Sequence, residues 1–187
     1  MIKRLFDILL ALLLLVVTSP PMLAIIVLIR VTSPGPAVYW SDRVGIDNTI
    51  FRMPKFRTMR ADTPQVPTHL LKNPERYVTA VGSFLRKYSL DELPQFWSIL
   101  LGDMSFVGPR PALFNQADLI NLRTGKGIHK VKPGITGWAQ VNGRDELPIP
   151  VKVSYDEFYL KNRSFTLDMK ILLMTLFKVL RSEGVTH

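Results

Sequence analysis

From Leu5 to Ile29 the chain carries a single charge, Asp7. About 20 apolar residues suffice to cross a bilayer, so this stretch is long enough to do so. Its middle reads Thr18-Ser19-Pro20-Pro21. The two prolines remove two backbone donors, and Pro20 clashes with the turn before it. Ser19 can bond back to a carbonyl and help a helix to bend. Two half-length helices joined at an angle therefore compete with one straight span. The flanks separate the two. Lys3 and Arg4 precede the stretch, and Arg30, Arg43, Arg52, Lys55, Arg57 and Arg60 follow it. Basic flanks favour the cytoplasmic side of a membrane, and a straight span would place one of them outside. The expected element is a re-entrant, monotopic anchor over residues 1–36, kinked at Ser19-Pro20. A cleaved signal peptide fits less well, because apolar sequence resumes from Met22 to Ile29 without a clean cleavage site.

The remainder, 37–187, is long enough for one domain with a real core. The absence of cysteine excludes disulfides, thiolate chemistry and zinc–sulfur sites. His69, His129 and His187 are too scattered for a metal-ligand pattern. A net charge of +9 suits anionic partners: nucleic acid, anionic lipid or phosphorylated substrates. Val38–Val44 and Ile50–Phe56 flank turn residues and predict a β-hairpin, with Arg43 and Arg52 on a solvated face. Residues 61–76, with Pro64, Pro67 and Pro74, predict a loop. Helices are expected over Val81–Tyr88, Ala112–Thr124, Val151–Leu160 and Phe165–Leu180, and a short strand over Trp138–Val141. The last helix is apolar well beyond one stripe, which suits a core or a membrane interface. The fold class is α+β, mostly helical, with a small hairpin and interfacial amphipathic helices.

Two adjacent carboxylates, Asp91 and Glu92, lie between basic Arg86-Lys87 and an apolar run. Ser89 and Glu92 have capping-box spacing, which would start a helix at Ser89. Alternatively the helix starts at Pro94, with Leu93 extended before it. Either way the carboxylates sit at a helix start, where negative charge is favoured and phosphate can be held. Capping alone would account for them. Further on, Pro109 and Pro111 fix the backbone on both sides of Arg110, a residue suited to bidentate phosphate contacts. Gly134, Gly137 and Gly143 permit close backbone approach to a ligand, although no P-loop pattern is present.

These pieces combine. Residues 85–95 (LRKYSLDELPQ), 102–111 (GDMSFVGPRP) and 132–144 (KPGITGWAQVNGR) resemble the bacterial sugar transferase family, the monotopic phosphoglycosyl transferases with an Asp-Glu dyad. Lys55-Phe56-Arg57-Thr58-Met59 and Ser19-Pro20 match as well, so the resemblance covers nearly the whole chain. It is to the minimal form, with one re-entrant helix and no added transmembrane bundle. The resemblance implies transfer of a phospho-sugar from a UDP-sugar to undecaprenyl phosphate, releasing UMP, as the first membrane step of bacterial glycan assembly. It implies Mg²⁺ and a covalent intermediate on Asp91, which would also touch the metal. It implies work at the cytoplasmic face of the inner membrane among its lipids, with no nucleic acid partner. Glu92 suits a general base toward the lipid phosphate. Arg110 is the first candidate for phosphate, then Arg86 and Arg144. Lys55, Asp156 and Asp168 match family positions without an assigned role. Residues 61–80 are the expected place for sugar choice. Which sugar is transferred, and whether a homo-oligomer forms, stay open.

Two other functions compete with this one. A paired-carboxylate glycosidase needs its carboxyls about 5–10 Å apart across a bond, which adjacent residues do not readily supply. A non-catalytic, basic membrane-surface protein would explain the charge and the anchor, but not a dyad beside a rigid arginine.

Overall fold

The computed structural model describes residues 2–64, 73–143 and 147–181. Among these the chain is mostly helical, with two small two-stranded sheets. Helix α1 runs from Ile2 to Thr32 with Pro20 and Pro21 inside it. It is thus one 31-residue helix rather than two separated by a break. The side chains show how it tolerates the prolines. Pro20 has no N–H for the Val16 carbonyl four residues earlier. The Ser19 hydroxyl donates to that carbonyl at 2.8 Å, and the Thr18 hydroxyl donates to Leu14 O at 2.6 Å.

One stripe of α1 faces the rest of the protein. Asp7, Ala11, Ile25 and Ile29 are buried on it, while Leu12, Leu13, Val16 and Val17 are exposed. Its first half packs on one core cluster with Ile99, Met104, Phe106 and Ile171. Its second half packs on another with Phe56 and Leu85. Polar contacts reinforce the first half. Asp7 accepts from Phe106 N at 3.2 Å, and the Arg4 guanidinium donates to Ile99 O and Leu100 O at 2.5 and 2.8 Å.

The hairpin forms with the expected bounds, β1 over Val38–Val44 and β2 over Ile50–Phe56, antiparallel, with Trp40 opposite Pro54. Arg52 lies over the Trp40 ring on an exposed face. Arg43 departs from the solvated position expected for it. It donates to Ser41 Oγ and to Pro111 O, tying the hairpin to the loop beyond Arg110. After β2, Arg57 donates to Ser33 O and Pro34 O and fastens the exit of α1.

Helix α2 spans Ala80–Lys87, capped by the Thr79 hydroxyl. Gly82 lies against the backbone of Thr58, where an added Cβ would come within 1.9 Å of Thr58 O. Helix α3 spans Gln95–Leu101 and ends at Gly102 in the left-handed region. Strand β3, Ser105–Val107, pairs in parallel with β4, Gly134–Thr136. Helix α4, Ala117–Gly125, starts later than expected. Trp138–Val141 is a helical turn, α5, not a strand. Its bulky residues suggest extension locally, but the turn follows directly on β4 and seats Ala139 and Val141 in the interior. Helices α6, Ile149–Asn162, and α7, Phe165–Arg181, form as the pattern implies. Helix α7 has two characters: Ile171 is fully buried, whereas Leu173, Leu176 and Phe177 are exposed. The parallel pair therefore lies among α1, α3 and α7, just before the Arg110 loop.

Candidate active site

The two carboxylates do lie at a helix start, a turn that follows Ser89 and leads to α3 behind Pro94, but without the expected capping box or an extended Leu93. Ser89 adopts φ 55, ψ 23, the left-handed region, and makes no side-chain cap. A capping box needs an extended N-cap residue, so none forms. Leu90–Glu92 make one turn of 3₁₀ helix, Leu93 is helical rather than extended, and the chain continues into α3. This tight turn points Asp91 and Glu92 at different partners.

Glu92 is held by two cations. Lys55 Nζ is 2.8 Å from Oε1, and Arg110 Nη2 is 2.6 Å from the same oxygen. Arg110 Nη1 approaches Oε2 at 3.4 Å. Burial alone would push the Glu92 carboxyl up, but Arg110 and Lys55 outweigh it and hold Glu92 far below the usual carboxylate range. Asp91 is 9% exposed, and its ion pair is a longer one, 3.8 Å to Lys55 Nζ. Its acidity is shifted the other way. Burial pushes the Asp91 carboxyl up, Lys55 opposes that, and the Glu92 charge adds to it. The dyad is thus split by environment, Glu92 held by two close cations and Asp91 buried with a single, longer ion pair.

Arg110, expected beside the carboxylates, is there, but it reaches Glu92 rather than forming an ion pair with Asp91. Arg86 donates to Thr58 Oγ1 at 3.0 Å and acts on Asp91 through its field. Burial lowers its own pKa. Arg144 lies outside the described residues, as does part of the 61–80 loop. Gly134 and Gly137 approach backbone, not an open site: an added Cβ at either would lie 2.1 Å from Gly108 atoms.

Sequence reasoning left Asp156 and Asp168 without roles and did not single out Asp7, Arg123 or Tyr159. The structure places all five behind the Arg110 loop. Asp156, 1% exposed, accepts from Arg123 Nε and Nη2 at 3.0 and 2.6 Å, and Arg123 Nη1 donates to Arg110 O at 2.8 Å. Burial raises the Asp156 pKa against the pull of Arg123. Asp168 accepts from Tyr159 at 2.7 Å and from Lys3 at 2.5 Å, and both donors also reach Val107 O. The segment from Phe106 to Arg110 is fixed from Asp7, from Lys3 and Tyr159, and from Arg123. The hint in sequence was that Asp156 and Asp168 match family positions; their partners Arg123 and Tyr159 carried none.

Among the described residues, no three acidic or histidine side chains converge as a metal cage. An ion such as Mg²⁺ would need only one or two carboxylates here, completing its shell with water and substrate phosphate. Asp91 is the oxygen donor less committed to protein cations. Beside Glu92 and Arg110 opens a cavity of about 140 Å³, reaching toward α7.

The family model for bacterial sugar transferases matches residues 1–182. The chain belongs to that family.

Its relatives include the uncharacterized sugar transferase EpsL of Bacillus subtilis, 43% identical over 98% of this chain and 90% of that protein. The UDP-glucose:undecaprenyl-phosphate glucose-1-phosphate transferase of Escherichia coli is 42% identical over 95% of this chain and 40% of its own length. The UDP-N-acetylgalactosamine-undecaprenyl-phosphate N-acetylgalactosaminephosphotransferase of Aeromonas hydrophila is 40% identical over 98% and 44%. This sugar transferase thus spans most of the first relative and less than half of the other two. Family membership sets aside the non-catalytic and glycosidase readings.

Proposed function

We propose that this sugar transferase moves a sugar phosphate from a UDP-sugar to undecaprenyl phosphate in two displacements at Asp91. The observation that carries this is the split dyad. Asp91 is a buried carboxylate whose ion pair, with Lys55, is the longer one, and Arg110 and Lys55 beside it are cations of the kind that bind phosphate. In the first step an Asp91 carboxylate oxygen attacks the donor's β-phosphorus. The bond from that phosphorus to the bridging oxygen breaks, and UMP leaves with the electron pair. In the second step a phosphate oxygen of undecaprenyl phosphate attacks the same phosphorus. The acyl–phosphate bond breaks, Asp91 is freed, and undecaprenyl-diphospho-sugar forms. Two displacements suit a soluble donor and a lipid acceptor that need not bind together.

Arg110 and Lys55 would bind the phosphates, with Arg86 keeping positive potential at Asp91. When they do so, Glu92 loses its two partners and recovers base strength for the acceptor. Arg144 is proposed as a further phosphate contact. Mg²⁺, held by Asp91 and the donor's phosphates, would neutralise charge on the diphosphate.

The chain would work as a monotopic protein at the cytoplasmic face of the bacterial inner membrane. Support comes from α1, which is long and apolar enough to cross a membrane and leaves most of its apolar side chains exposed. Both halves of α1 pack against the same folded body. An anchor gripped at both ends by one domain does not place those ends on opposite sides of a bilayer. A bend at Ser19-Pro20 would let its middle enter one leaflet and return.

The test is incubation of the purified protein with a panel of UDP-sugars and Mg²⁺. Intact mass should show a phospho-sugar adduct together with UMP release. Asp91→Asn should form no adduct while still binding membranes, and turnover by that variant would exclude Asp91 as nucleophile.

A further inference from the structure

We propose that the cavity beside Glu92 receives the phosphate and the first isoprene unit of the polyprenyl phosphate acceptor. This rests on the two-displacement reading and assigns it a second, separate approach to the dyad. Glu92 and Arg110 line the cavity, whereas Asp91 and Arg86 do not. The cavity therefore meets the site at the general base, away from the nucleophile's far side.

Its lining matches one end of such a lipid to each part. Lys87 and Lys178 join Arg110 as cations around it, complementary to a phosphate. Leu93, Phe96, Val141 and Val179 supply apolar wall. Tyr88, Ser89, Thr136 and Thr175 bring hydroxyls to the lining, and the two threonines are engaged with each other and with backbone. Thr175 donates to Ile171 O at 2.8 Å, and Thr136 pairs with Thr175 at 2.7 Å. Gln140 also lines it, and its buried Oε1 has no hydrogen-bond partner among the described residues. Against the apolar wall a nucleoside or sugar would leave polar groups unpaired, while a hydrocarbon chain needs no partner. The cavity is too small for a whole polyprenol. The rest of the chain would continue over Leu176 and Phe177 of α7 and Phe84 of α2, which are exposed and adjoin the lining residues. The nucleotide donor would then come in from the Asp91 and Arg86 side.

The experiment separates the half-reactions. Val179→Trp fills the apolar wall. It should form the phospho-sugar adduct and release UMP at the wild-type rate. Its discharge to undecaprenyl phosphate should slow at least tenfold through a raised KM, with a smaller loss toward a short-chain alkyl phosphate. Unchanged discharge would overturn the proposal, and so would an equal loss of adduct formation, which would make the cavity the donor's. Lys178→Glu, which repels phosphate without filling space, should show the same split and covers the case in which the tryptophan variant does not fold. A photoreactive short-chain polyprenyl phosphate, applied to wild-type protein without donor, should label peptides containing Leu93 or Val179. Labelling elsewhere refutes the cavity assignment whether or not the protein turns over. Absence of any adduct from the wild type would instead refute the two-displacement reading.

Discussion

At the scale of single residues, the dyad is two carboxylates with opposite acidities. Asp91 is raised chiefly by burial, with Lys55 opposing. A carboxyl raised in the folded state favours folding most while it is protonated. That contribution is lost as pH rises through its folded pKa. At neutral pH the buried charge is therefore a burden, and Asp91→Asn should raise Tm while abolishing the adduct. Each ~1 kcal/mol recovered is worth about 2–4 °C in a chain of this size, and a thermal melt at pH 7.5 reads it. Lys55→Met should act on the reaction. Without that cation Asp91 titrates higher still, so the acid limb of single-turnover UMP release should move to higher pH. An acid limb that stayed put or moved lower would count against Lys55 as the group that keeps Asp91 ionised. Glu92 runs the other way. Arg110 and Lys55 overcome its burial and depress it, so its stabilising contribution is present above the ordinary carboxylate range and lost only in strong acid.

At the scale of elements, α1 and α2 each depend on one small local device. In α1 the Ser19 hydroxyl stands in for the N–H that Pro20 lacks, at Val16 O. Ser19→Ala should cost about 0.5–1.5 kcal/mol, the net value of one hydrogen bond. In a Pro20→Ala background residue 20 supplies its own N–H, and the same Ser19→Ala change should cost close to nothing. A double-mutant cycle on detergent-solubilised protein measures that coupling; additive losses would mean that the hydroxyl does no such work. In α2 the device is Gly82. A methyl group there would meet Thr58 O and push the helix off the strand end. Gly82→Ala should lose about 1–3 kcal/mol as an overpacked site. It should also weaken adduct formation, because the Arg86–Thr58 bond spans that same contact.

At the scale of the whole molecule, the long apolar helix α1 is part of the folded body. Lys3 reaches Asp168, Tyr159 and Val107 O, and Asp7 holds Phe106 N, so the first two turns of α1 help to fix the strand that leads to Arg110. Lys3→Met leaves the buried Asp168 carboxylate with Tyr159 but without its cation. A loss of about 1–3 kcal/mol is expected for a buried group stripped of a partner. The adduct rate should fall with it even in detergent micelles, where attachment to a bilayer is not at stake. Full activity of Lys3→Met in micelles, with only membrane binding impaired, would return α1 to the role of a simple tether.

The hairpin was legible to its end residues, because its runs and turn are set by neighbours along the chain. Helices α6 and α7 were legible to within two residues at each end, α7 through apolar positions that repeat at helical spacing. The dyad, Lys55 and Arg110 could also be picked out. Ser89 could not: its left-handed backbone defeats the cap its sequence advertises. Nor could the role of Asp156, whose partner Arg123 lies 33 positions away in the chain. By itself the sequence determined which chemical groups are present and that an apolar helix must be accommodated, since composition and local periodicity are properties of the chain. Only the tertiary structure decided that Arg110 and Lys55 close on Glu92 and leave Asp91 the less attended anion. That choice comes from α1, α3 and the parallel strands packing together, and charge pairing between distant segments is settled by packing, not by spacing.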